Sequence, residues 1–119
     1  MTLLLIAVAA QFAGAQETDH DRAHHGRVPA APMSHLGAGW LERPERDTEE
    51  MPDDVVAVME LKDGDIVADI GVGSGYFARR MAKKVGPSGK VYGVDIQPEM
   101  LKILENMCAK EGITNVVSD

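Results

Sequence analysis

The residues best placed to do chemistry are Asp69, Gly71, Gly73 and Gly75, in the run Asp69-Ile70-Gly71-Val72-Gly73-Ser74-Gly75-Tyr76, with Asp95 following 20 residues after Gly75. Alternate glycines let a backbone turn tightly and let a ligand approach without Cβ obstruction. A carboxylate at the position of Asp95, closing a second strand, can accept hydrogen bonds from both hydroxyls of an adenosine ribose. Bonds of this charge-assisted kind are about twice as strong as neutral ones. The pattern is that of a site holding a nucleoside-bearing ligand.

Two ligand classes compete for it. A dinucleotide fold reads G-x-G-x-x-G and seats pyrophosphate on a helix N-terminus. Here Tyr76 stands where the third glycine would fall, and glycine comes one residue earlier. Asp69 would repel pyrophosphate, but it suits a ligand carrying an ammonium and a sulfonium. Charge and spacing therefore both favour S-adenosylmethionine over NAD.

Such a site needs a strand before the turn and a helix after it. Ile66-Val67-Ala68-Asp69-Ile70 is a short apolar run rich in β-branched residues and reads as a buried parallel strand. From Tyr76 to Val85, Phe77, Met81 and Val85 recur four apart, with Lys83 and Lys84 in the last turn where cations suit the helix dipole. Val91 to Val94 is a second strand closed by Asp95. Pro98 opens a further helix with the stripe Met100, Leu101, Leu104, Met107 and Cys108, ended by Gly112. Val116-Val117 begins a third strand. Upstream, Pro52 starts a helix whose apolar positions are Val55, Val58, Met59 and Leu61, and Asp63-Gly64-Asp65 ends it. Strands alternating with helices predict an α/β fold with a Rossmann-like parallel sheet.

The remaining sequence sets limits. The chain has 119 residues, room for one domain. Its net charge of −7, with no basic run longer than two, argues against a nucleic-acid surface held by phosphate contacts. The one cysteine, Cys108, reads as a small core residue. Leu3 to Ala10 is apolar and Ala13-Gly14-Ala15 gives a small-x-small pattern, so residues 1–15 read as a signal peptide cleaved before Gln16. That run is too short for a stable membrane span, and export to the periplasm or medium is expected; without a signal the chain would be cytoplasmic. Residues 16–39 are polar and hold His20, His24, His25 and His35. They read as a flexible linker rather than a metal site, since no further ligands complete a shell. Residues 40–119 form the folded part. Trp40 is expected to dock on the core from a short helical turn, the alternative being a flap near the cofactor.

The stretch VADIGVGSGYFARRMAKKVGPSGKVYGVDIQPEML resembles the first motif and following acidic strand of class I S-adenosylmethionine-dependent methyltransferases. It is similar to the small-molecule type related to quinone-biosynthesis C-methyltransferases, and GSGYFARRMA echoes protein isoaspartate methyltransferases. The resemblance covers Trp40 to Val117. It implies that Asp69, Gly71, Gly73 and Gly75 hold the methionine part of S-adenosylmethionine, that Asp95 binds ribose, and that Ile96 packs on adenine. It implies the first three strands of a seven-stranded fold, left incomplete, with one edge of the Ile66–Ile70 strand bare and this chain alone inactive. Asp119 comes too soon after Val116-Val117 to be given the adenine-reading role. The acceptor implied is a small molecule, and no residue is nominated as general base. Two further readings stand beside this one: an exported, non-catalytic module binding S-adenosylmethionine or a nucleoside, and an NAD-binding oxidoreductase.

Overall fold

The computed structural model describes residues 3–6 and 30–119. Four parallel strands form one sheet in the order β1-β2-β3-β4. β1 is Leu3–Ile6, β2 Ile66–Ile70, β3 Lys90–Val94 and β4 Val116–Ser118. Helix α4 (Tyr76–Val85) carries the chain from β2 to β3, and α5 (Pro98–Glu111) carries it from β3 to β4. Three short helices precede β2: α1 (Ala38–Leu41), α2 (Glu45–Glu50) and α3 (Pro52–Val58), with a 3-10 turn at His35–Gly37 ahead of them.

The three central expectations about strand and helix position hold to within a residue. α4 forms as the four-residue spacing requires, and Met81, Ala82 and Val85 pack with Val67 and Val91 in the core. In α5 the buried face is Met100, Leu104 and Cys108, and Gly112 caps it in the left-handed conformation at φ 66°. Burial pushes the Cys108 thiol above its ordinary value, as a small buried core residue requires.

Four features differ from the sequence reading. The apolar N-terminal run contributes β1, which pairs with Ile66 to Asp69 and occupies the edge of β2 expected to be bare. An open edge presents unpaired N–H and C=O groups, and a β-rich apolar segment of the same chain satisfies them. The cleavage site, His20, His24 and His25 lie outside the described residues. Segment 16–39 is more than a linker at its C-terminal end, because His35 and Met33 bond to Gln97. In α3 the inward face is Pro52 and Val56, whereas Val58 is 79% exposed. Among the described residues the sheet is covered on one face: Val67, Asp69 and Val91 are buried, but Ile70, Tyr92 and Val117 on the other are exposed at 43%, 38% and 38%. Parallel strands ordinarily bury both faces.

Gly75 shows what local packing demands. It begins α4 at φ 83°, and a Cβ there would lie 2.2 Å from Cδ1 of Leu104, a fully buried side chain. Left-handed backbone costs a non-glycine residue about 1–2 kcal/mol, and overpacking a filled core costs about 1–3 kcal/mol more. Gly75→Ala is therefore expected to lower unfolding free energy by about 2–5 kcal/mol, read by urea denaturation; a loss below about 0.5 kcal/mol would show that Leu104 yields freely.

Candidate functional site

The site is built at the carboxyl ends of β2 and β3. The turn after β2 hangs on the end of β3: the N–H groups of Gly71 and Val72 donate to the Val94 carbonyl at 2.8 and 3.0 Å. The Gly73 N–H donates to Oδ2 of Asp95 at 2.9 Å, and the Gln97 N–H donates to Oδ1 at 2.9 Å. Asp95 thus fixes the glycine turn on one side and its own loop on the other. Its two oxygens keep further lone pairs for a ligand, since a carboxylate accepts at about four sites.

Between turn and strand lies a cavity of about 300 Å³, a volume at the lower end for small-molecule sites. Asp69, Gly71, Gly73, Asp95 and Ile96 line it. The structure therefore brings five of the six expected site residues to the lining of one cavity. Gly75 is absent from that lining, and its role in the structure is the close packing under Leu104. Ile96 stands at the rim, 82% exposed. Asp119 lies outside the cavity wall and pairs through its backbone with Gly93 and Asp95.

Asp69 is the electrostatic centre. It is 3% exposed, and burial followed by the charge of Asp95 pushes its pKa from 3.8 to about 6. No ion pair offsets it among the described residues. The folded state therefore binds this proton more tightly than the unfolded chain does. The stability it contributes is complete below pH 3.8 and is lost as pH rises through 6. At neutral pH the fold carries the cost of an ionised, unpaired Asp69, about 3 kcal/mol at 1.36 kcal/mol per unit. Unpaired buried carboxylates are uncommon unless a ligand supplies the missing charge.

The segment before β2 closes the cavity. Pro32, Met33, Leu41 and Arg46 form its outer wall. Gln97 clips this segment down, donating from Nε2 to the Met33 carbonyl at 2.8 Å and accepting from the His35 N–H at 3.1 Å. Trp40 is 51% exposed, under the Arg43 guanidinium at 3.8 Å, so it does not dock on the core. The flap alternative for this segment matches the geometry.

Three residues tie the segment before β2 to the turn and to α4. Arg79, 5% exposed, donates from Nη2 to both carboxylate oxygens of Glu42 at 2.6 and 2.7 Å and from Nε to the Gly75 carbonyl at 3.2 Å, and pairs with Glu111. Ser74 Oγ donates to the same Glu42 at 2.5 Å. Tyr76 donates to Asp47, and burial and that bond push its pKa up to about 12. None of these partnerships is visible in the sequence pattern, beyond Arg79 falling among the apolar positions Ala78, Met81 and Ala82.

Comparison with known proteins supplies the family. Residues 61–118 match the family described as "Methyltransferase domain". Protein-L-isoaspartate O-methyltransferase of Methanococcus aeolicus is 43% identical over 58 residues, covering 49% of this chain and 27% of that protein. Demethylmenaquinone methyltransferase of Geobacillus kaustophilus is 36% identical over 64 residues, covering 54% and 27%. A crystal structure of a SAM dependent methyltransferase from Aquifex aeolicus superposes with TM-score 0.67 at 33% identity, covering 71% of this chain and 45% of that one. The chain spans less than half the length of these relatives. A carboxylate-lined cavity at the ends of β2 and β3, a glycine turn bonded to Asp95, and these likenesses agree: residues 61–118 resemble a methyltransferase domain, and the fold is an N-terminal portion of that of the class I S-adenosylmethionine-dependent methyltransferases.

Proposed function

We propose that this chain forms the cofactor-holding part of an enzyme that methylates a small molecule, with Asp69, Gly71, Gly73, Asp95 and Ile96 as the residues contacting S-adenosylmethionine. The observation that carries the proposal is Asp69: buried, ionisable, without an ion-pair partner among the described residues, and lining one cavity with Asp95. The residues fit the cofactor. Asp69 faces a need for positive charge that the methionine ammonium and the sulfonium meet. A Cβ at Gly71 would meet nothing within 4 Å, and at Gly73 it would meet only Leu41 at 3.3 Å, so bare backbone faces the cavity there. Asp95 offers lone pairs to the ribose hydroxyls, and Ile96 an apolar surface to adenine. Gly75 supports the turn from beneath.

When bound, the cofactor supplies a methyl group activated by the sulfonium, whose departure as a neutral thioether provides much of the driving force. The protein's task is to align and to exclude water. Asp95 and Gly73 hold the turn rigid, and the flap clipped by Gln97 shields the cavity. Orientation of this kind is worth up to about 7–11 kcal/mol in favourable cases. The relative named for demethylmenaquinone supports a small-molecule acceptor, and those named for protein isoaspartate mark the competing class.

Export is the reading proposed for the N-terminus, with cleavage before Gln16. Cleavage there would remove β1 and uncover the β2 edge, so Leu3–Ile6 serve as signal or as strand in the mature protein, not both. Among the described residues no helix is long and apolar enough to cross a membrane. N-terminal sequencing of the native protein is expected to start at Gln16; a start at Met1 or Thr2 would overturn export.

The cofactor assignment is tested by thermal denaturation with 1 mM S-adenosylhomocysteine or NADH. A micromolar site would be stabilised by about 4 kcal/mol under those conditions, which raises Tm by well over 5 °C for a domain of this size. S-adenosylhomocysteine is expected to give that shift and NADH none. Asp69→Asn is expected to weaken S-adenosylhomocysteine binding about tenfold or more, the worth of one charge-assisted bond. A shift with NADH alone would sink the assignment.

A further inference from the structure

Three consecutive residues of the glycine turn are each held by a side chain from outside it. The Gly73 N–H donates to Asp95. The hydroxyl of Ser74, a residue 1% exposed, donates to Oε1 of Glu42 at 2.5 Å. The Gly75 carbonyl accepts from Nε of Arg79, and Nη2 of Arg79 donates to both oxygens of Glu42 at 2.6 and 2.7 Å. Two of the three restraints therefore meet at one carboxylate. Glu42 lies outside the strand-turn-helix unit: it caps the C-terminus of α1, beside Leu41 of the cavity's outer wall. It does not line that cavity. It lines a second one of about 330 Å³, together with Arg79, Lys83 and Glu111.

The turn needs such restraints. Gly73 and Gly75 take φ 55° and 83°, and glycine gives up more backbone freedom on ordering than any other residue. Charge-assisted bonds from a guanidinium to a carboxylate are the strong and directional kind. The buried apolar cluster around Val67, Met81 and Leu104 includes no residue of 30–51. Loss of the Glu42 contacts therefore takes no apolar side chain out of that cluster, and its first effect falls on the turn. We propose that Glu42 is a positioning residue for the cofactor site. It acts through Ser74 and Arg79, without touching the ligand, and holds the turn in the form that receives S-adenosylmethionine. Docking of the segment before β2 and ordering of the turn are then one event, because the same carboxylate completes both. The assignment rests on the cofactor reading above and deepens it: affinity at the glycine turn depends on a side chain that reaches it from α1.

The test compares amide hydrogen exchange by NMR with calorimetric titration of S-adenosylhomocysteine, both on the full chain. Glu42→Gln keeps the size of the side chain and removes its charge. It is expected to speed exchange of the Gly73 amide at least tenfold, to leave the Val67 amide in the core of β2 within twofold, and to weaken S-adenosylhomocysteine at least fivefold. Ser74→Ala cuts the same link from the side of the turn and leaves Glu42 paired with Arg79; it is expected to show the same Gly73 signature, and it decides by the same readouts if Glu42→Gln does not fold. Glu49→Gln breaks the Arg43–Glu49 pair without touching the turn, and is expected to change neither readout. Equal acceleration at Gly73 and Val67 would mean that Glu42 only stabilises the fold, and would overturn the assignment. Unchanged Gly73 exchange, or unchanged affinity despite a faster Gly73 amide, would overturn it too. A wild-type chain that does not bind S-adenosylhomocysteine would overturn the cofactor reading, while Gly73 exchange would still decide whether Glu42 holds the turn.

Discussion

The hydrogen bond from the Gly73 N–H to Asp95, beside the bonds from Gly71 and Val72 to the Val94 carbonyl, is the constraint on which the site depends. It locks the turn after β2 to the end of β3, so two strands adjacent in the sheet act as one rigid rim. The carboxylate proposed to meet ribose is thereby also the clamp that shapes the turn, and it gives the cavity its form before any ligand arrives. Preorganisation of this kind reduces the ordering cost of binding.

Asp69 sits just behind that rim, and the fold tolerates its charge at a cost. Val67 and Asp69 point to the same buried face of β2, one a core residue and the other a carboxylate in the core's border. Proteins keep such destabilising groups where function needs them. The other buried ionic group, Arg79, is satisfied. Glu42, Glu111 and the Gly75 carbonyl surround it, and it joins the residue capping α1 to α4 and α5. Removing one partner of such a buried pair is typically worth several kcal/mol because the other charge is left stranded. One buried charge is paired and holds the frame; the other is unpaired and faces the cavity.

The local unit was legible from the sequence, and the long-range partners were not. β2, the glycine turn, α4 and β3 follow from β-branched runs, positive-φ glycines and four-residue spacing, all properties of contiguous residues. Gly75 was legible as a turn glycine, but its reason is Leu104 on α5, which no local pattern reveals. Arg79 to Glu42, Gln97 to Met33, and Arg46 on Tyr76 link residues 30 to 64 positions apart, and polar residues carry no periodic signal for such contacts. Val58 misled because apolar residues at 55, 56, 58 and 59 satisfy more than one helical face, and packing chose Pro52 and Val56. The apolar run at Leu3–Ile6 fits a secreted leader and an edge strand alike, because hydrophobicity alone does not separate the two.

The central claim is that Asp69 is held ionisable, buried and unpaired for a cationic ligand group. The direct measurement is an NMR titration of the Asp69 side-chain carboxyl carbon, with and without saturating S-adenosylhomocysteine. A pairing ammonium favours the charged form and must lower the pKa. The account predicts a midpoint near pH 6 in the free chain, falling by two units or more when the ligand is bound. A midpoint near 3.8 in the free chain, or one that the bound ligand leaves unchanged, would contradict it.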